Sequence, residues 1–393
     1  MRADIGIDGR VLQRSYGAGR CGMSRWLAEM LSALQTLDTR QQYVVFVEDP
    51  SDVVWQPTMA NFRFSRIRRP WPWRSSGTAP RSLYGSPYEH VIFPLRISRE
   101  GPCVMHFVTN RAPLARPFAT VVTLHDVIPL IFASHHLRRL SSRIAYRLDL
   151  LGCRRSDVII TDSRCAKCDV VRELHVDPKR VKVIYPGVGA PFGKQDHSVH
   201  PGRFIGELSE SQPFFLYYGG TAVNKNVEAV IRAFAILMRR RPDTLLLMVV
   251  HEEDRRRRLG VLATHLGVSD DIVFADHLSD EQLVSVLNHS VALVYPSIYE
   301  GFGLPPLEAM ACGAPVIASD RASLPEVVGE AGILVDPNDT EAIARAMSHL
   351  LDAPDLRSHL SEKGVERAKR FTWKAAAERI AVIYEEALAG ARQ

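Results

Sequence analysis

A chain of 393 residues is too long for one ordinary hydrophobic core and suits two domains of roughly 150–200 residues each. With 46% hydrophobic and 24% charged residues it has the composition of a soluble globular protein, which excludes a disordered, collagenous or multispan membrane chain. A formal charge of +5 suits phosphorylated ligands or an anionic membrane surface and is too weak for nucleic acid.

The N-terminus, MRADIGID, passes straight into a strand-like run without a signal segment, and no stretch reaches transmembrane length. A cytoplasmic location is therefore expected. Strand-like Ile5 to Asp8 leads into GRVLQRSYGAGRCGMSRW, whose glycines Gly17, Gly19 and Gly22 precede a helix expected from Ser24 to Leu37. Six scattered cysteines read as reduced thiols. Cys165 and Cys168 form a C-x-x-C, but no second pair or strand-helix redox setting accompanies them, so helix thiols are expected there.

Between Phe62 and Pro80 the sequence turns irregular, with arginines and tryptophans set among prolines. Trp71 and Trp73 beside Arg66, Arg68, Arg69 and Arg74 have the composition of an interfacial membrane contact. The alternative is an exposed loop whose tryptophans pack on the domain or on a sugar. Val104 to Phe107 and Val121 to Leu124 read as strands, the latter running into His125-Asp126 at the edge where open α/β sheets bind ligands. Val158 to Thr161 follows as a strand, Ser163 opens a helix, and a last strand leads to Pro186-Gly187-Val188.

Residues 189–212 lose periodicity and read as a linker. The strand Phe214 to Tyr218 then enters GGTAVNKNVEAVIRAF, where a glycine turn carrying Gly220, Asn224 and Lys225 precedes a helix. Such a turn offers backbone N–H groups and a point charge to a diphosphate. The runs Arg239 to Arg241 and Arg255 to Arg258 read as solvated helix faces. A further strand-length run, Val291 to Tyr295, ends at Pro296 and is followed by Glu300, Gly301, Phe302, Gly303, Leu304 and two prolines. A short helix containing Glu308 comes next, and Gly313 stops it before the strand Pro315 to Ala318. Taken alone, Glu300 and Glu308 read more readily as a capping and a solvated helix glutamate than as a pair that holds a sugar and a ribose.

The string EGFGLPPLEAMACGAPVIAS, with its E-x7-E spacing, closely resembles the donor-site signature of family 4 retaining glycosyltransferases of GT-B architecture. VVTLHDVIPL and the closing helix FTWKAAAERIAVIYEEALAG extend the resemblance over nearly the whole chain. It implies an α/β fold of two Rossmann-like doubly wound domains facing one another across a cleft. Residues 1–190 would form the acceptor-side domain, 191–212 the linker, 213–370 the donor domain, and 371–393 a helix crossing back. By the same resemblance Glu300 holds the hydroxyls of the donor sugar, Glu308 the ribose, and His125 the sugar's far side. Lys225, with Gly220, Asn224 and the backbone of Gly301, Phe302, Gly303 and Leu304, would hold the diphosphate. Many relatives carry arginine where Asn224 stands. Gly19, Gly22 and Arg25 match the family's cleft loop, and Asp271 to His277 the segment beside the nucleobase.

The expected reaction is transfer of a hexose, with retention, to a saccharide or lipid-linked hydroxyl in surface-polysaccharide synthesis. The signature and the GIDGR opening most resemble bacterial mannosyltransferases. That puts GDP-mannose first among donors, with GDP-rhamnose, UDP-glucose and UDP-N-acetylglucosamine open. No cofactor is expected, and the lack of any D-x-D argues against a diphosphate-bound metal. No residue presents itself as a general base. A sugar-nucleotide epimerase and a non-catalytic sugar-binding subunit are the rival readings.

Overall fold

The structure, a computed structural model, describes residues 4–16, 22–67, 88–195, 200–209 and 212–391. It divides into two compact units, one of residues 1–187 with 372–393 and one of residues 188–371. The first is built on strands β1 (Ile5–Asp8), β2 (Tyr43–Val47), β3 (Phe62–Arg66), β4 (Val104–Phe107), β5 (Ala119–Thr123), β6 (Val158–Thr161) and β7 (Val181–Val183). All pair in parallel, in the order β3-β2-β1-β4-β5-β6-β7.

The chain thus works outward from β1 to one edge, then returns to lay β4 on the other side of β1. Ligand crevices of open α/β sheets form at such a switch point, outside the C-terminal ends of the strands. A parallel sheet is covered by helices on both faces, which is why a strand such as Tyr43–Val47 is apolar throughout and buried at every position. The helix over this strand runs Gly22–Leu37, starting two residues earlier than the periodicity suggests.

The C-terminal helix Trp373–Ala391 belongs to this first unit. Its Trp373, Ala377, Ile380 and Tyr384 join the core formed by Trp26, Leu27, Met30 and Leu31 of the first helix. The close passage of chain at its start requires Gly187, because a Cβ there would lie 2.1 Å from the backbone nitrogen of Trp373. A buried polar chain also fixes the helix. The Tyr384 hydroxyl lies 2.6 Å from His106 Nδ1 on β4, and His106 Nε2 lies 2.8 Å from Thr123 Oγ1 on β5. Burial pushes the His106 imidazole down to about 3, so the ring is neutral and links two hydroxyls.

The second unit repeats the plan with β8 (Phe214–Tyr218), β9 (Leu245–Val249), β10 (Ile272–Ala275), β11 (Ala292–Tyr295), β12 (Val316–Ser319) and β13 (Ile333–Val335). Their order is β10-β9-β8-β11-β12-β13, again parallel, with the switch point between β8 and β11. Tyr384→Phe is expected to leave His106 Nδ1 buried without a partner, at a cost of about 1–3 kcal/mol. A melting temperature lowered by roughly 2–4 °C per kcal/mol is the expected outcome, and an unchanged one would show that the chain of hydroxyls carries no stability.

Candidate active site

At the switch point of the second unit β11 ends in Tyr295, and Pro296, lacking an N–H, cannot extend the ladder. The following turn brings the Glu300 carboxylate back over the strand end, where it is 6% exposed. Lys225, from the turn after β8, places its ammonium 2.8 Å from each carboxylate oxygen of Glu300 and 3.0 Å from the Tyr295 hydroxyl. Tyr295 in turn donates to Glu300 Oε1 at 3.0 Å. Burial, then the Glu300 charge, raises the Tyr295 phenol far above its ordinary range, so it remains a donor. The Ser297 hydroxyl lies 2.6 Å from Glu300 Oε1 and 2.8 Å from the Asn224 carbonyl oxygen. Its single proton serves one of them at a time, and the charged carboxylate is the stronger acceptor.

The loop that follows is fixed by Ser323, whose hydroxyl lies 2.9 Å from the carbonyl oxygen of Glu300 and 2.6 Å from that of Phe302. Gly303 caps the helix Leu304–Ala311 at φ +115°, and a Cβ there would meet Leu324 Cδ2 at 2.7 Å, so glycine is required on both counts. Pro305 and Pro306 occupy the next helical positions and remove two of the N–H donors that a helix start normally offers. What the helix presents to an anion is therefore its dipole and the backbone of Gly301 to Leu304. The Phe302 ring packs edge-on to Phe371 with centroids 5.7 Å apart, and the residue is buried.

Glu308, 4% exposed, accepts from the Tyr218 hydroxyl at 2.8 Å, and the same hydroxyl lies 2.9 Å from the carbonyl oxygen of Pro305. Asn224 serves the protein itself. It is 2% exposed, and its amide donates to the Tyr299 carbonyl at 2.9 Å while its own carbonyl accepts from Ile298 N at 2.7 Å. It staples the lysine turn to the Glu300 turn, and the clamp expected of the neighbouring arginine in relatives is absent from this position. Gly220 is exposed with open space around it, and the residue whose backbone needs glycine in that turn is Gly219, at φ +137°.

The structure thus brings Glu300, Lys225, Asn224, Gly220, Glu308 and the residues Gly301 to Leu304 into one unit, about the ends of β8 and β11. Sequence reading missed Tyr295, Ser297 and Ser323, which hold the charged pair and its loop, and Tyr218, which holds Glu308. Tyr218 and Tyr295 were legible as the terminal residues of neighbouring strands, whereas the two serines carry no pattern.

His125 lies in the first unit, just past β5, and is 8% exposed. Its Nδ1 is 2.6 Å from Asp162 Oδ2, its Nε2 is 3.1 Å from the Val108 carbonyl oxygen, and its backbone N–H donates to Asn110 Oδ1 at 2.7 Å. Gly22 is exposed at the first position of its helix, and Arg25 lies part-buried one turn on. Gly19 falls outside the described residues, as do Trp71, Trp73, Arg68, Arg69 and Arg74 of the proposed membrane contact. Arg66 ends β3 with its guanidinium on the Glu48 carbonyl at 3.0 Å and beside Asp49 at 3.3 Å. Cys165 and Cys168 are free thiols on the helix Arg164–Leu174. Among the described residues no group of three or more His, Cys, Asp or Glu side chains is arranged to hold a metal. Nor is any described helix long and apolar enough to cross a membrane.

Two α/β units, each on a parallel sheet, are the architecture of the GT-B class of glycosyltransferase. The family Glycosyl transferases group 1 matches residues 202–367, and Glycosyltransferase Family 4 matches residues 21–190. The chain belongs to this glycosyltransferase family. It is 34% identical over 276 residues to the O-antigen chain mannosyltransferase B of Escherichia coli, covering 65% of this chain and 67% of that protein. It is 32% identical over 261 residues to the serotype-specific mannosyltransferase WbdA of Escherichia coli. That match covers 65% of this chain, which spans about a third of the relative's length (32%). Among solved structures, Anabaena HepE in complex with UDP-glucose shares the fold, with TM-score 0.71, 17% identity, and coverage of 97% of this chain and 99% of that one.

Lys225→Met is expected to strand the Glu300 charge. Breaking a fully buried pair costs about 3–5 kcal/mol, and the partial exposure of Lys225 reduces this to roughly 2–3. The double variant Lys225→Met/Glu300→Leu should recover much of that loss. Denaturant unfolding of the set checks it, and strictly additive losses would show that the two side chains are not coupled.

Proposed function

We propose that this chain is a retaining glycosyltransferase that moves a hexose, mannose from GDP-mannose in first place, onto a hydroxyl of a saccharide or lipid-linked acceptor in surface-polysaccharide assembly. The observation that carries the reading is the part-buried Lys225–Glu300 pair at the ends of β8 and β11, hydrogen-bonded by Tyr295 and Ser297. Mannose is favoured because the relatives are named as mannosyltransferases. A nucleotide-diphosphate donor is supported by the UDP-glucose bound to the structural neighbour from Anabaena and by the ammonium of Lys225 beside Glu300.

The chemical problem is the negative charge that grows on the departing diphosphate. Lys225 is the cation placed to meet it, aided by the dipole of the helix Leu304–Ala311. Removing one such preorganised donor typically costs ~10²–10³ in rate. Glu300 accepts hydrogen bonds from sugar hydroxyls, which replace the donors it holds in the free protein. Glu308, steadied by Tyr218, takes the ribose. His125 is the residue that the family resemblance assigns to the sugar from the first unit. With lysine and dipole as the counter-charges, transfer is proposed to need no metal, and EDTA should leave the rate unchanged. Contact of Arg66 to Arg74 with an anionic membrane surface is proposed on composition alone.

A thermal-shift panel of nucleotide sugars tests the donor. GDP-mannose at 100 times its Kd should add about 2.7 kcal/mol of stability. In a transfer assay Glu300→Gln should lose at least 100-fold in turnover with the fold intact, and near wild-type turnover would remove Glu300 from the site. Conversion of the sugar nucleotide to an epimer without acceptor would favour the epimerase reading instead.

A further inference from the structure

The His125 ring faces two groups that only accept hydrogen bonds. Asp162 Oδ2, just past β6, lies 2.6 Å from Nδ1, and the carbonyl oxygen of Val108 lies 3.1 Å from Nε2. A neutral imidazole has one N–H and one lone pair, so one of these contacts would set lone pair against lone pair. Both are satisfied only when the ring carries two protons. The surroundings agree. Asp126 adds a second negative charge from the residue next in the chain, and the nearby His106 on β4 is neutral. Trp26 presents its ring in an edge-type contact 5.3 Å from the imidazole, between centroids, which adds packing but no charge.

The pair also differs from an ordinary structural ion pair. Asp162 is 5% exposed, yet its Oδ1 takes no hydrogen bond among the described residues. A buried carboxylate present for stability alone is normally satisfied at both oxygens. The pair lies at the C-terminal ends of β5 and β6, the edge of the sheet at which α/β folds carry their chemistry.

We infer that Asp162 is a positioning residue that holds His125 as a doubly donating imidazolium. The ring is then a fixed cation paired with the Asp162 carboxylate, in place of a neutral ring with a free nitrogen. Its role in transfer rests on the reading of the chain as a sugar transferase. Desolvation alone would lower the affinity of His125 for its proton, but the Asp162 charge and hydrogen bond, with Asp126, more than offset it, and the balance is raised. A raised folded value stabilises the protein fully below the unfolded value of about 6.5 and is lost as pH rises through the folded value.

The test is ¹⁵N-histidine NMR of the full chain from pH 5 to 9, with His125→Gln to assign the ring. Wild type should show both His125 nitrogens protonated at pH 7. Asp162→Asn keeps an oxygen for Nδ1–H but removes the charge, and should lower the imidazolium-to-imidazole ratio at least tenfold, a shift of about one pH unit. A neutral His125 in wild type at pH 7, or a titration unmoved in Asp162→Asn, would overturn the inference. The second arm is the pH profile of transfer. Asp162→Asn should lose turnover above neutrality and regain it as pH falls, with little change in KM for the donor. An NMR shift without any change in that profile would overturn the role in the reaction. Absence of transfer by wild type with every donor would count against the transferase reading, and the NMR arm would still decide the state of the ring.

Discussion

Taking a carboxylate and an ammonium out of water is costly, and the second unit does so at the one place where its sheet opens. Lys225 and Glu300 hold each other through two 2.8 Å contacts, and the desolvation is offset only because Tyr295 and Ser297 complete the hydrogen bonding of the carboxylate. Much of the surrounding architecture serves that arrangement. Asn224 joins the lysine turn to the Glu300 turn, Ser323 fixes the carbonyls of the loop, and Gly303 permits the bend into the helix. A polar ligand can divide such a pair at small net cost, because it brings hydroxyls for the carboxylate and oxygens for the ammonium.

The first unit places a charged cluster at the equivalent point of its own sheet, with the opposite outcome. Arg10 is 8% exposed and lies between two carboxylates, 2.7–2.8 Å from Asp8 at the end of β1 and 2.8–3.0 Å from Glu89. Its guanidinium also stacks 3.8 Å from the centre of the Phe93 ring. The fork of an arginine is saturated by two such partners, whereas a lysine ammonium is a point charge that can turn to a new one. The space left beside Arg10 is about 10 Å³, little more than room for one water. One switch point is closed by its own side chains, and the other holds a cation that can be shared.

Much of this was legible in the sequence. Strand-length apolar runs alternating with amphipathic helices gave the parallel layers, because a strand buried on both faces has no polar positions to confuse the pattern. Lys225 and His125 stand just past a glycine turn and a strand, whereas Glu300 and Glu308 stand out only within the string EGFGLPPLEAMACGAPVIAS. Asp162 stands in the same relation to β6 and was passed over, since a single aspartate before a serine cap reads as local structure. What could not be read was pairing at long range. The side-chain partner of Asn224 is a backbone carbonyl 75 residues away. The link from Tyr384 to His106 spans 278 residues and leaves no periodic signature.

In the proposed reaction the Lys225–Glu300 pair divides between phosphate and sugar. Calorimetric titration of GDP and of GDP-mannose into wild type, Lys225→Met and Glu300→Gln measures that division directly. Lys225→Met should weaken both ligands alike. Glu300→Gln should bind GDP as wild type does and lose the added affinity contributed by the mannosyl group. Equal binding of both ligands by all three proteins, or a Glu300→Gln defect as large for GDP as for GDP-mannose, would contradict it.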